Sequence, residues 1–370
     1  MNTSTKSRQL IVISPTAPPG ICGVSDYSFL TTQKIAQFYE SVGIGVADMP
    51  KLSNEATFKA LKVSHWQQIL QEASSRSGPT DVLIHYTPTA YAQSGLSIRL
   101  IKALSRFKKA NGENRLFIFF HELWSNSFQM RFHQIARNQL AKWSSHQLGE
   151  LADGISVVTT GQKKDLEAVL GHTRVRLGLV GANIVPIDKD AGFRSQRQAG
   201  LWALFGLAHT RLWALQAHLP MIKRLHQTGY LHHIQAIGPA DNAYGQQEAA
   251  FAQAHFGKGF LRQLGALSAE GVSAHLLEVE AAVVKQDADS LYKSGSFAAL
   301  AAHGVAVICH APTTLVNPPG GGLFQPAEVA ANPGLLSSEE GNLRRTVLHD
   351  WFLSSRSWEA IGEDISRWMA

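Results

Sequence analysis

The chain has 370 residues, 45% of them hydrophobic and only 17% charged, with 34 lysines and arginines against 28 aspartates and glutamates. That length exceeds what a single core usually fills, and that apolar content excludes intrinsic disorder, so two folded domains are expected. The net charge of +6 suits nucleotides, other polyanions or an anionic membrane surface, but no cationic run interleaves with aromatics, and no nucleic-acid partner is expected.

Met1 to Leu10 leads into a short strand and lacks the apolar stretch of about 7–15 residues that marks a secretory leader. No apolar run reaches the roughly 20 residues that span a bilayer. Cys22 and Cys309 fall in unrelated segments and fit a reducing compartment, with a single disulfide between them as the alternative. Apolar runs recur at Ile11–Ser14, Gly43–Ala47, Val82–Tyr86, Leu116–Phe120, Ile155–Thr159 and Arg176–Val180, with helical stretches between them. Continuous rather than alternating apolarity marks strands covered on both faces, and helices crossing between them predict a parallel, doubly wound sheet.

A second series follows at Leu201–Phe205, His233–Ile237, Ala281–Val284 and Val305–Cys309. Proline and charges interrupt the rhythm at Ile184-Val-Pro-Ile-Asp-Lys-Asp190, which places an N-terminal domain over residues 1–185 and a C-terminal domain over 186–345. Residues 346–370 read as helices whose apolar positions include Trp351, Phe352, Trp358, Ile361, Ile365 and Trp368. They brace the domain junction or pack on their own domain. Two amphipathic stretches, Leu100–Lys109 and Trp124–Trp143, are either solvated helix faces packed on the sheet or a membrane face beside a lipid acceptor.

Chemistry concentrates at strand ends. Lys293-Ser-Gly-Ser296 is a cationic, glycine-containing turn that opens the small-residue helix from Phe297 to His303-Gly304. Free N–H groups and the dipole at such a helix start hold phosphate, and Lys293, Ser294, Gly295 and Ser296 supply one cation, two hydroxyls and a flexible link. Plain helix capping by Ser294 or Ser296 is the alternative. Arg211, shortly after Phe205-Gly206, is a candidate second phosphate cation or a helix-capping residue. Asp287 and Asp289 hold sugar hydroxyls or are solvated loop residues, and Glu278 or Glu280 is a candidate for the nucleotide ribose.

In the first half, Pro19-Gly-Ile-Cys-Gly-Val-Ser-Asp-Tyr27 follows the first strand and precedes a helix expected to begin near Ser25. Gly20 and Gly23 would let a ligand approach, with Ser25 or Asp26 capping the helix. His85 and His121 fall at the ends of apolar runs, where ligands of parallel sheets gather. His121, followed by Glu122, is suited to donate to a sugar hydroxyl or a leaving phosphate, or to accept a proton. His85, His121 and Glu122 lack any local metal-ligand spacing, so no metal is expected. There is no Walker loop, no serine-triad spacing and no CxxC pair.

These segments together resemble the GT-B glycosyltransferases, in particular the family 4-like group that builds bacterial surface polysaccharides. The resemblance covers nearly the whole chain: Gly20–Tyr27, Ile84–Tyr91, Phe119–Trp124 and Gly181-Ala-Asn183, then Phe205-Gly206, Gly265–Glu270, Lys293 to Gly304 and Ser357–Ile361. It implies two Rossmann-like domains facing an interdomain cleft, with a nucleotide-sugar donor (UDP-, GDP- or ADP-linked) held mainly by the C-terminal domain. It also implies a glycan or lipid-linked acceptor on the N-terminal side. Gly23 would correspond to the glycine loop beside the donor phosphates, His121 to the histidine near the reacting sugar, and Lys293–Ser296 to the donor-phosphate turn. Such enzymes usually retain anomeric configuration and need no tightly bound cofactor or metal. The resemblance implies a cytoplasmic protein, either free or, for a lipid-linked acceptor, at the inner face of the cell membrane. The chain departs from the pattern where many relatives carry paired glutamates: Leu291 and Ala299 stand nearest those positions, and no lysine follows Arg211 until Lys223. A GT-B scaffold that binds glycan or nucleotide without catalysis is therefore the second expectation.

Overall fold

The structure is a computed structural model, describing residues 8–17, 22–48, 62–76, 78–124, 132–188, 191–194, 196–285, 288–312 and 314–370. The chain forms two compact units, one of Met1–Leu179 with Trp358–Ala370 and the other of Val180–Ser357. The two terminal helices thus belong to different units: Glu339–Ser355 to the second and Trp358–Met369 to the first.

The N-terminal unit contains β1 (Gln9–Ser14), β2 (Ser41–Val46), β3 (Lys62–His65), β4 (Thr80–Tyr86), β5 (Arg115–Phe120), β6 (Gly154–Val157) and β7 (Val175–Leu177). They form one sheet in the order β3-β2-β1-β4-β5-β6-β7, with parallel pairing throughout. Every residue of the central β4 is buried, as continuous apolarity requires. Ile11, Ile13, Val82, Ile84, Leu116 and Ile118 share a core with Leu100, Leu104 and Phe107 of the helix Ile98–Ala110. That helix packs its apolar face on the sheet, and Lys108 pairs with Asp153 at 2.5 Å. At the amino end of β4 the buried Asp81 carboxylate takes Arg8 and Arg115 at 2.7 Å each, which satisfies its charge inside the fold. The last helix, Trp358–Met369, lies on the helix Gly23–Ile35; a side chain at Gly362 would come within 2.6 Å of Lys34 Cβ, so the close approach needs glycine.

The C-terminal unit contains β8 (Gln198–Phe205), β9 (His233–Ile237), β10 (Leu261–Gly265), β11 (Val279–Val283) and β12 (Ala306–Ile308). Their order is β10-β9-β8-β11-β12, again all parallel. Both sheets are doubly wound, and strand order reverses at β1/β4 in one and at β8/β11 in the other. The helix Gly295–Ala302 buries every residue from Phe297 to Ala302, because its alanines allow packing against sheet and neighbouring helix at once. It ends as expected at Gly304, whose φ of +60° lies in the left-handed region. Among the described residues no helix is long and apolar enough to cross a membrane.

Candidate functional site

In an open parallel sheet ligands bind beyond the carboxyl ends at the point of strand-order reversal. In the C-terminal unit a cavity of about 180 Å³ sits there. Leu204 and Phe205 from the end of β8 and Val283, Val284 and Lys285 from the end of β11 line it. Thr210, Arg211, Ser294 and Ser296 complete the polar wall. The backbone at its edge is tightly specified. Gly206 leaves β8 with φ +134°, and a Cβ there would lie 3.2 Å from Ser296 Oγ and 3.3 Å from Thr210 Oγ1. Gly238 has φ +126° and would strike the Gly206 carbonyl at 2.3 Å.

Ser294 is the N-cap of the helix Gly295–Ala302, its Oγ accepting from Phe297 N–H at 3.1 Å. Capping and ligand contact are compatible here. The cap uses one N–H of the first turn, and the N–H groups of Gly295 and Ser296 have no acceptor among the described residues. Lys293 stands exposed in the preceding turn, and Lys285 is exposed just after β11. The opening therefore combines Lys285, three hydroxyls and a helix start, with Lys293 in the adjoining turn, a set suited to anionic oxygens.

Arg211 departs from its expected role as a free phosphate cation. It is wholly buried: its Nε and Nη2 donate to the two oxygens of Glu248 at 2.9 Å each, and its other donors reach the carbonyls of Gly206 and Pro239. The guanidinium spends its hydrogen bonds on the protein and fixes the turn at Gly206. Glu280 is likewise corrected. It lies at the amino end of β11, opposite the cavity, where its carboxylate accepts from Gly200 N–H, Trp202 Nε1–H and Tyr230 O–H at 2.9, 3.2 and 2.6 Å. A carboxylate held that way braces the sheet and does not meet a ribose at the carboxyl ends. Glu278 is exposed at the end of the preceding helix, 3.7 Å from His275. It is also at the amino end of β11. Asp287 lies outside the described residues, and Asp289 is on the short helix Ala288–Tyr292.

In the N-terminal unit the carboxyl ends of β4 and β5 bring His85 and His121 together. His85 Nδ1 lies 3.0 Å from His121 Nε2. His121 N–H donates to Tyr86 O at 3.0 Å, and its carbonyl accepts from Gln162 Nε2 at 3.2 Å, so the residue is held by backbone as well as ring. The His121 ring stacks on Phe119 at 4.7 Å, and Tyr27 stands edge-on to His85 and His121 at 5.4 and 5.1 Å. Burial among these rings pushes His121 down to about 3 and His85 well below the usual histidine range, so both are neutral near pH 7.

The first helix begins two residues earlier than expected, at Gly23, with Cys22 rather than Ser25 or Asp26 at the N-cap. Ser25 is buried inside the helix, where its Oγ accepts from Thr16 N–H at 3.1 Å and from the Ser14 hydroxyl at 3.3 Å. Asp26 occupies the first turn, and burial raises its pKa. A Cβ on Gly23 would meet nothing within 4 Å, so crowding within the described unit does not account for this glycine. Gly20 lies outside the described residues. Glu122 is exposed immediately after His121. Sequence reasoning missed Thr210, Lys285 and Tyr27. Lys285 carried a signal, a lysine directly after the apolar run that ends at Val284.

No protein-family model matches the sequence, and no curated protein matches it by sequence. Solved structures do match in three dimensions. The Anabaena protein HepE in complex with UDP superposes with a TM-score of 0.61 at 11% identity, over 98% of this chain and 99% of that one. Sucrose-phosphate synthase from Thermosynechococcus elongatus gives 0.59 at 12% identity, over 97% and 98%. WaaG, a glycosyltransferase involved in lipopolysaccharide biosynthesis, gives 0.56 at 10% identity, over 96% and 98%. The fold is that of the GT-B glycosyltransferases. Both Rossmann-like domains of that fold are present, each with its sheet and flanking helices complete among the described residues.

Proposed function

We propose that this protein is a glycosyltransferase of the family 4-like type, moving a hexose from a nucleotide sugar to a hydroxyl of a glycan or lipid-linked acceptor with retention of configuration. The observation that carries this reading is the cavity at the β8/β11 reversal point, edged by Lys285, Thr210, Ser294 and Ser296 and by the open N–H groups of Gly295 and Ser296. The donor diphosphate binds there, and Lys285 and Lys293 offset the charge that grows on it as the glycosidic bond breaks. His121, neutral and immobilised by Phe119 and Tyr27, hydrogen-bonds the transferred sugar. Gly23 is assigned to the donor-phosphate side and Asp26 and Glu122 to the acceptor and sugar side, while His85, wholly buried, supports His121 instead of the ligand contact expected of it. The enzyme works in the cytoplasm, at the inner face of the membrane when its acceptor is lipid-linked.

Arg211 gives the second reading its support. With that guanidinium fully engaged by Glu248 and two carbonyls, the cations left beside this cavity among the described residues are exposed lysines, which fits a scaffold that binds nucleotide or glycan without turnover. Titration with UDP-, GDP- and ADP-sugars, followed by analysis of products with glycan acceptors, separates the readings. Binding with transfer supports the enzyme, and its turnover then falls in His121→Ala and Lys293→Ala. Binding without transfer supports the scaffold. A folded sample that binds none of the donors overturns both.

A further inference from the structure

We infer that His85 is a positioning residue, which fixes through one buried hydrogen bond the tautomer that His121 presents to its ligand. The inference rests on the reading of His121 as the sugar-facing group, while the geometry of the pair stands independently of it.

A neutral imidazole has one N–H and one bare nitrogen. Where Nδ1 of His85 and Nε2 of His121 approach to 3.0 Å, one of the two carries the proton and the other accepts it. Two lone pairs would repel, and two N–H groups would clash. Each ring has only one proton to place, so the rings are bound to the same tautomer. Either both carry hydrogen on Nδ1, or both carry it on Nε2.

Surroundings choose between these states. The Tyr27 hydroxyl, the nearest polar group on the neighbouring ring, donates to Leu179 O at 2.8 Å. Nε2 of His85 is buried and has no partner among the described residues. A proton on that atom would be a buried donor with no acceptor, the rarer and costlier orphan. The pair therefore carries both protons on Nδ1: His85 donates to His121 Nε2, and His121 presents Nδ1–H. That atom is neither hydrogen-bonded nor enclosed among the described residues. His121 is thus a neutral donor for an oxygen that accepts, such as a sugar hydroxyl or a phosphate oxygen, and it does not serve as a base. Exchanging the tautomer would require a proton to reach the enclosed Nε2 of His85, so the state is held by burial.

The test is ¹⁵N-histidine NMR of the full-length chain at pH 7, with the His121 signals identified by their loss in His121→Gln. The expected spectrum shows His85 and His121 both with a pyrrole-type Nδ1 and a pyridine-type Nε2. A pyrrole-type Nε2 on His121, or a charged imidazolium on either ring, overturns the inference. The functional arm compares His85→Phe, which removes the donor, with His85→Asn, whose amide can restore it. A roughly tenfold lower kcat at unchanged KM is expected in the first, with recovery in the second. Equal kcat in wild type and His85→Phe overturns the positioning role. If the chain transfers no sugar, the spectrum still decides the tautomer, so failure of the enzymatic reading and failure of this one are told apart. If His85→Phe does not fold, the wild-type spectrum decides alone.

Discussion

At the carboxyl ends of β4 and β5 the N-terminal unit is packed with rings, Tyr27, His85, Phe119 and His121, whereas the ends of β8 and β11 leave a cavity edged by Lys285, Thr210, Ser294 and Ser296. The strand order around the two reversal points is the same. The difference therefore comes from the few residues that follow each strand. One region packs its imidazoles among aromatic rings and keeps them neutral. The other stays open and offers cations and N–H groups. A shared topology supplies the place for a ligand, and local side chains decide which chemistry that place favours.

The largest effect that would break this contrast is at Glu248. Removing its carboxylate in Glu248→Ala strands the buried Arg211 charge, and the C-terminal unit is expected to lose about 3–5 kcal/mol in chemical denaturation. A loss under about 1 kcal/mol would show that Arg211 is free to leave for a ligand. Next is His121→Ala, expected to lower kcat by about 10²–10³ with the fold intact by circular dichroism, as for loss of a preorganised donor. Unchanged turnover would remove His121 from the site.

Acidification sharpens the contrast more modestly. The folded pKa of His121, about 3, lies below its unfolded value, so the unfolded chain binds more protons between that pH and about 6.5. Stability should rise with pH across that window and level off above it, by about 1.4 kcal/mol per pH unit for each such histidine. His218 and His303, each pushed down to about 4 by burial, give the C-terminal unit the same sign. Denaturation midpoints measured at pH 5, 6 and 7 read this, and a midpoint for the N-terminal unit that does not move with pH would mean that its imidazoles are not held neutral. The smallest effect is expected at the exposed lysines: Lys285→Ala should weaken nucleotide-sugar binding by about tenfold or less, with the loss shrinking as salt is added. A loss that salt leaves unchanged would point to packing rather than charge.

The expected apolar runs each overlap a strand, Arg176–Val180 sharing only Arg176 and Leu177 with β7, whereas β3 and β10 were not expected. Both are edge strands, and β10 is largely uncovered, so neither carries the continuous apolarity by which doubly covered strands are recognised. Within the site, Ser294 and Ser296 were legible because a helix start writes its capping hydroxyls next to its first turn. His85 and His121 were legible as strand-end histidines. Their contact was not, because β4 and β5 are joined by a helix and meet only through sheet register, His85 opposite Phe119.

The sequence by itself determined the alternation of strand and helix, the two doubly wound sheets and the glycine-hydroxyl turn at Lys293, because these follow from local periodicity and turn chemistry. Only the tertiary structure decided which charges are free. Arg211 finds Glu248, and Glu280 finds Gly200, Trp202 and Tyr230, through packing between segments far apart in the chain. A charged side chain reads the same in sequence whether it faces solvent or a buried partner, and the fold alone brings that partner within hydrogen-bonding distance.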